Sequence, residues 1–162
     1  MSDLVEKLRL VEREIAAESG EFALFALFHI EGSLHENWDI VLAAPWLDEK
    51  TKENALRRIF QVLRTRLSIK DFLRVDRVMI LPVVHPDVGA LIRRYPAEDY
   101  VVEICHRELL GQYIDEGYIM TSRPGLACAS DAPVQDARDG ARRSPAVRKP
   151  AIAAPMPEMP RT

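Results

Sequence analysis

The sequence predicts an α/β (α+β) domain: a single mixed sheet of four to five strands, an N-terminal antiparallel hairpin and about three helices. Three observations carry this. Apolar residues recur at helical spacing in residues 3–18 and 48–67. Short apolar runs bounded by Gly, Pro, Asp and Asn lie between and after those stretches. The two patterns follow one another in the order α-β-β-α-β-α-β-β, with no internal repeat.

Residues 3–18 carry Leu4, Leu8, Val11 and Ile15 on one helical face, with Asp3 and Glu6 suited to a cap and its reciprocal partner. Ser19-Gly20 stops that helix, glycine fitting the left-handed position past the last turn. Phe22 to Ile30 is apolar at successive positions and is expected inside the sheet rather than at an edge. Residues 32–36 form the hairpin loop, Trp38 to Ala44 return, and Pro45 ends the strand. Asp48 is the expected N-cap of a helix to Leu67 whose buried stripe is Leu56, Ile59, Phe60, Leu63 and Leu67. A crossover through that helix reaches a third strand, Val75 to Leu81. His85-Pro86-Asp87 opens a third helix to Tyr95, Tyr100 to Cys105 is a fourth strand, and 112–121 holds a fifth with a turn at Glu116-Gly117.

Composition sets the outer limits. The chain has 162 residues, 48% hydrophobic and 29% charged, as expected of one ordinary domain with an appendage. After Thr121 the character changes: residues 122–162 hold seven of the eleven prolines, nine alanines and no Phe, Tyr or Trp. Such a stretch cannot bury enough apolar area to offset its ordering entropy, so residues 1–121 are expected as the compact domain and 122–162 as a disordered Pro/Ala-rich tail. With a net charge of −3 overall and +3 on the tail, the domain carries −6. A field of that sign argues against nucleic acid as partner. The apolar run Phe22 to Phe28 is far short of a membrane span, and MSDLVEKLRLVERE lacks the layout of a secretory signal, so a cytoplasmic location is expected. Cys105 and Cys128 form no Cys-x-x-Cys and are read as reduced thiols.

The hairpin supplies the sharpest candidate for chemistry. A loop over 32–36 sets Glu31 against Asn37 and His29 directly against Asp39. A carboxylate fixes a histidine's tautomer and raises its basicity, which suits a general base, and the alternative function is a small hydrolase or phosphodiester-acting enzyme centred on His29 and Asp39. Glu103 is its third candidate, as the second carboxylate of a restriction-like nuclease core. Position 105 is Cys105 where that core needs lysine. A nucleotidyltransferase reading of Gly32-Ser33 and Asp39 fails at Val41, where a second metal-holding carboxylate would stand. The four histidines have no zinc-ligand spacing, and no GxxxxGK[ST], GxGxxG or Gly-x-Ser-x-Gly occurs, so neither a metal nor a cofactor is expected.

Two further groups of residues stand out. Arg57, Arg58, Arg64, Arg66 and Lys70 follow one another without an acid between them, with Arg57 and Arg64 as candidates for phosphate or nucleic-acid contact. Cations late in a helix also complement its negative end without any ligand. In the assumed register Phe25 and Leu27 share a sheet face with Val41 and Ala43, and only the short third helix is left to cover it. That face, with Trp46 as an anchor, is the expected interface of a homo-oligomer or a protein partner.

The stretch FALFALFHIEGSLHENWDIVLAAPWL, with RVDRVMILPVVHPDV, resembles a family of short uncharacterised prokaryotic proteins in which a Trp-Asp-aliphatic strand leads into Ala-Pro-Trp-Leu. The resemblance covers residues 3–121 and implies a prokaryotic, cytosolic, single-domain protein. The favoured function is a non-enzymatic interaction or accessory module.

Overall fold

A computed structural model describes residues 2–32 and 37–127. Helix α1 (Ser2–Ser19) leads into β1 (Leu24–Ile30) and β2 (Trp38–Ala43). Helices α2 (Lys52–Arg66) and α3 (Ile69–Phe72) precede β3 (Val75–Ile80). Helix α4 (Pro86–Arg94), strands β4 (Val102–Leu109) and β5 (Gln112–Ser122), and the one-turn helix α5 (Pro124–Ala127) complete the order. The strands form one mixed sheet, β3-β2-β1-β5-β4. The expected fold class is therefore the observed one. β1 is central and antiparallel to both neighbours, while β2 and β3 are parallel. Parallel neighbours need a long crossover, and α2 with α3 supplies it. Among the described residues no helix is long and apolar enough to cross a membrane.

Local chemistry explains most boundaries. Gly20 ends α1 at a φ of 116°, its N–H bonding the Ala16 carbonyl. Asp48 holds the turn before α2 rather than capping the helix: its Oδ1 accepts from the N–H groups of Lys50 and Thr51 and from the Thr51 hydroxyl. These bonds keep the Asp48 carboxyl below its usual range, the Thr51 hydroxyl most of all. His85 caps α4 by accepting from the Asp87 N–H at 3.3 Å, and Pro86 takes the first helical position. The last hairpin turns at Leu110 and Gly111, both at positive φ, and not at Glu116-Gly117, which lie within β5.

The β1–β2 register differs from the expected one by a single residue. Phe28, not His29, stands opposite Asp39. Because strand side chains alternate, this slip moves every residue of β2 to the other face. The large residues Phe25, Leu27, Ile40 and Leu42 now lie together under α1 (Leu4, Leu8, Val11, Ile15) and α2 (Ile59, Val62, Leu63). The smaller set Ala23, Ala26, Val41 and Ala43 joins Leu24 and Phe28 under α4 (Val88, Leu91, Ile92). In this register the small residues Ala26, Val41 and Ala43 stand together on one face and leave room for a nine-residue helix to seat closely. Leu81, Val83, Tyr95 and Leu126 finish the cover. Phe25, Leu27 and Val41 are consequently buried within the chain, and the bare sheet face expected to serve as an interface does not exist.

The folded region also extends past Thr121. Ser122 bonds Ala97 in both directions, the Arg123 N–H reaches the Ala23 carbonyl, Arg123 pairs with Glu21, and Leu126 packs on the α4 side. A chain ending at Thr121 is expected to melt at least about 5 °C below one ending at Ala127, because each kcal/mol lost shifts a domain of this size by several degrees. Circular dichroism melts of the two truncations measure it, and equal midpoints would return the edge of the fold to Thr121. Residues 33–36 of the expected hairpin loop, and the expected tail from Cys128 onward, lie outside the described residues.

One acid is buried between helix and sheet. Glu12 of α1 accepts a hydrogen bond from the Thr121 hydroxyl of β5. Burial pushes its carboxyl above the usual value of 4.5, partly offset by that hydroxyl and by Arg123, Arg9 and Arg13. A folded pKa above the unfolded one means that the ionised form costs stability, a cost complete above the folded value and gone below the unfolded one. Glu12→Gln is therefore expected to melt above the parent at about pH 8, with the gap closing toward about pH 4. A gap that stays constant across this range would place its cause outside the titration of Glu12.

Candidate interaction surface

The structure disperses the expected catalytic group. His29 of β1 lies on the α1–α2 face, its ring 5.4 Å from that of Trp38 and its Nδ1 3.9 Å from Asp115. Asp39 lies on the opposite face, where it accepts from the Arg77 guanidinium. Glu103 of β4 stands opposite Tyr118, whose hydroxyl donates to Glu116. Burial, reinforced by Glu116, pushes the Tyr118 phenol well above its ordinary range. His29 and Asp39 thus do not form a unit, and the hydrolase centre built on them falls with the register. Asp115 instead attracts His106, at 3.1 Å, and His106 adopts the left-handed region at a φ of 51° where β5 bulges against β1. Among the described residues no three His, Cys, Asp or Glu side chains are placed to hold a metal ion.

Trp46 is used inside the chain. Its indole N–H donates to the Glu21 carbonyl at 3.2 Å, and its ring meets Phe22 edge-on and lies against Gly20. A Cβ at Gly20 would come within 3.0 Å of that ring, so glycine serves both the turn and the contact. The indole clamps the exit of α1 to the exit of β2 while remaining only half-buried.

The basic run divides into distinct tasks. Arg58 grips Glu18 of α1 through two nitrogens, and Arg66 reaches Glu14 at 2.6 Å. The acids absent from the run itself come from the neighbouring helix and tie α2 to α1. Arg57 pairs with Glu53 one turn earlier at 2.8 Å. Arg64 has no ion-pair partner among the described residues. It lines a shallow trough of about 580 Å³ along the outer side of α2, with Glu53, Leu56, Arg57, Phe60, Gln61 and Thr65. Phe60, expected in the buried stripe, faces outward and is 39% exposed.

Directly after α2 the chain makes a second outward feature. Ser68 caps α3 by accepting from the Asp71 N–H, and its hydroxyl donates to the Asp71 carboxylate at 2.7 Å. Lys7 of α1 reaches the same carboxylate at 2.8 Å while also holding Asp3. Lys7 and then Ser68 keep the Asp71 carboxyl below its usual range. This fastening fixes the inner side of the single turn. Its outer side presents Ile69 and Leu73, 83% and 72% exposed, four residues apart and hence adjacent on the same side. Lys70 stands exposed between them in sequence. Sequence reading missed this knuckle. Its one legible signal was Ser68-x-x-Asp71, a cap and its partner, immediately after an uninterrupted helix.

No protein-family model, curated protein or solved structure matches the chain.

Proposed function

We propose that the protein is a non-enzymatic interaction module that binds a protein partner through the α3 knuckle. The observation that carries this is the pairing of two highly exposed aliphatic side chains with a rigid ionic mount beneath them. Single exposed aliphatic residues are ordinary on any surface. Two that are neighbours, on a turn fixed from below, lose little freedom when a partner covers them, and such preorganised anchors supply most of an interface's energy. The reading places the protein in the cytoplasm of a prokaryotic cell, on the family resemblance and on an exposed free thiol at Cys105.

The test is capture from the native host with the full chain as bait, alongside the double variant I69S/L73S. Burying one such side chain is worth about 1.5–3 kcal/mol, so loss of both is expected to weaken a specific partner by about 100-fold or more. Both residues are exposed, so the variant melts with the parent. The reading fails if the same proteins co-purify in the same amounts with both baits.

A further inference from the structure

We infer that a second copy of the chain pairs with the first through the outer side of α2, the two helices running antiparallel about a two-fold axis. The inference names one partner within the interaction reading above and rests on that reading, though it uses a different surface. At about 100° per residue, Glu53, Phe60 and Arg64 fall within about 20° of one line along the helix, with Leu56 and Arg57 flanking it. The trough described above is made of these residues. Its charge is ordered: at the N-terminal end an acid, Glu53, with Arg57 bound to it one turn on, an aromatic in the middle, and at the far end a cation with no ion-pair partner among the described residues.

That order is self-complementary in only one sense. Two parallel copies would oppose Glu53 to Glu53 and Arg64 to Arg64. Two antiparallel copies bring Glu53 of each to Arg64 of the other, at both ends, and stack Phe60 and Leu56 across the centre. A closed two-fold pair needs a patch that matches itself in this way. Arg58 and Arg66 are engaged by Glu18 and Glu14, while Arg57, bound to Glu53 at 2.8 Å within its own helix, would share that carboxylate with the incoming Arg64. A single pair of 15-residue helices buries less than a standard interface, so the expected dissociation constant is micromolar, roughly 10–100 μM.

Sedimentation equilibrium of the full chain, with ionic strength and concentration varied, reads the pairing. The parent is expected to pass from monomer to dimer as concentration rises, and less readily at high salt. Glu53→Arg and Arg64→Glu should each remain monomeric, because each creates two like-charge contacts. An equimolar mixture of those two variants should form a heterodimer, since both ends are then matched, and the double variant E53R/R64E should self-associate again. Circular dichroism checks that α2 persists in each. A parent that stays monomeric to about 1 mM, or single variants that dimerise as the parent does, would overturn the pairing. If the chain is monomeric yet the I69S/L73S bait still loses its co-purified proteins, the pairing alone fails. If the dimer forms and that bait loses nothing, the knuckle reading fails and the pairing stands.

Discussion

Replacing Gly117 with alanine is expected to destabilise the fold by about 2–3 kcal/mol, a large effect for adding one methyl group. Gly117 lies within β5, between Phe28 of β1 and Ile104 of β4 in the two registers. A Cβ built there would stand 2.7 Å from the Phe28 ring and 2.8 Å from Ile104 Cγ1. Both neighbours are buried. The empty position lets the two large side chains close over the backbone of the strand between them. Urea denaturation measures the cost. The variant Ile104→Ala is itself destabilising, but combined with Gly117→Ala it should cost less than the sum by about 1 kcal/mol, because it removes one of the two clashes. Strict additivity, or a Gly117→Ala cost within about 0.5 kcal/mol of zero, would show that the sheet opens freely at this point.

Arg77→Ala is expected to cost about 3 kcal/mol, and more than Asp39→Asn does. The pair is unequal: the Asp39 side chain is 5% exposed and that of Arg77 is 49% exposed. Removing the arginine strands a carboxylate inside the sheet, whereas amidating the aspartate removes the buried charge and leaves an exposed cation to water. Exposure of the guanidinium keeps the figure at the low end of the range for broken buried pairs. The double variant D39L/R77M discards both charges together and should return most of the lost stability. If Asp39→Asn proves the more damaging of the two single changes, the carboxylate has a role beyond pairing with Arg77.

Legibility in the sequence followed physical range. Elements fixed by local chemistry were readable: Gly20 as a helix stop, His85-Pro86 as a helix start, and the apolar run of β1 as a central strand. Where the outcome depended on distant packing, local signals misled. Gly117 read as a turn because glycine favours turns, yet the turn fell to Leu110-Gly111 and Gly117 makes room for Phe28 and Ile104. The hairpin register decides which residues share a face under helices far away in sequence, and one residue of slip separated His29 from Asp39. Phe60 fits a helical stripe as well as Ile59 does, and only the packing of α2 on α1 shows which is outside. The acids that answer Arg58 and Arg66 sit some 40 to 52 positions earlier. The knuckle depends on Lys7 reaching Asp71 from 64 positions away, a contact no local pattern encodes.

The sheet order has a consequence for how the chain is made. β1 finds one neighbour at once in β2, but its other neighbour, β5, is synthesised about 90 residues later. Until then the middle of the future sheet is a raw edge, apolar on both sides, and α1 with α2 can shield only one of them. On a ribosome adding about 5–20 residues per second, that edge stays open for several seconds or longer. The β1–β2 hairpin is thus most vulnerable to pairing with the wrong chain before β5 emerges, and co-translational chaperones would find their target there rather than at the exposed knuckle of the finished fold.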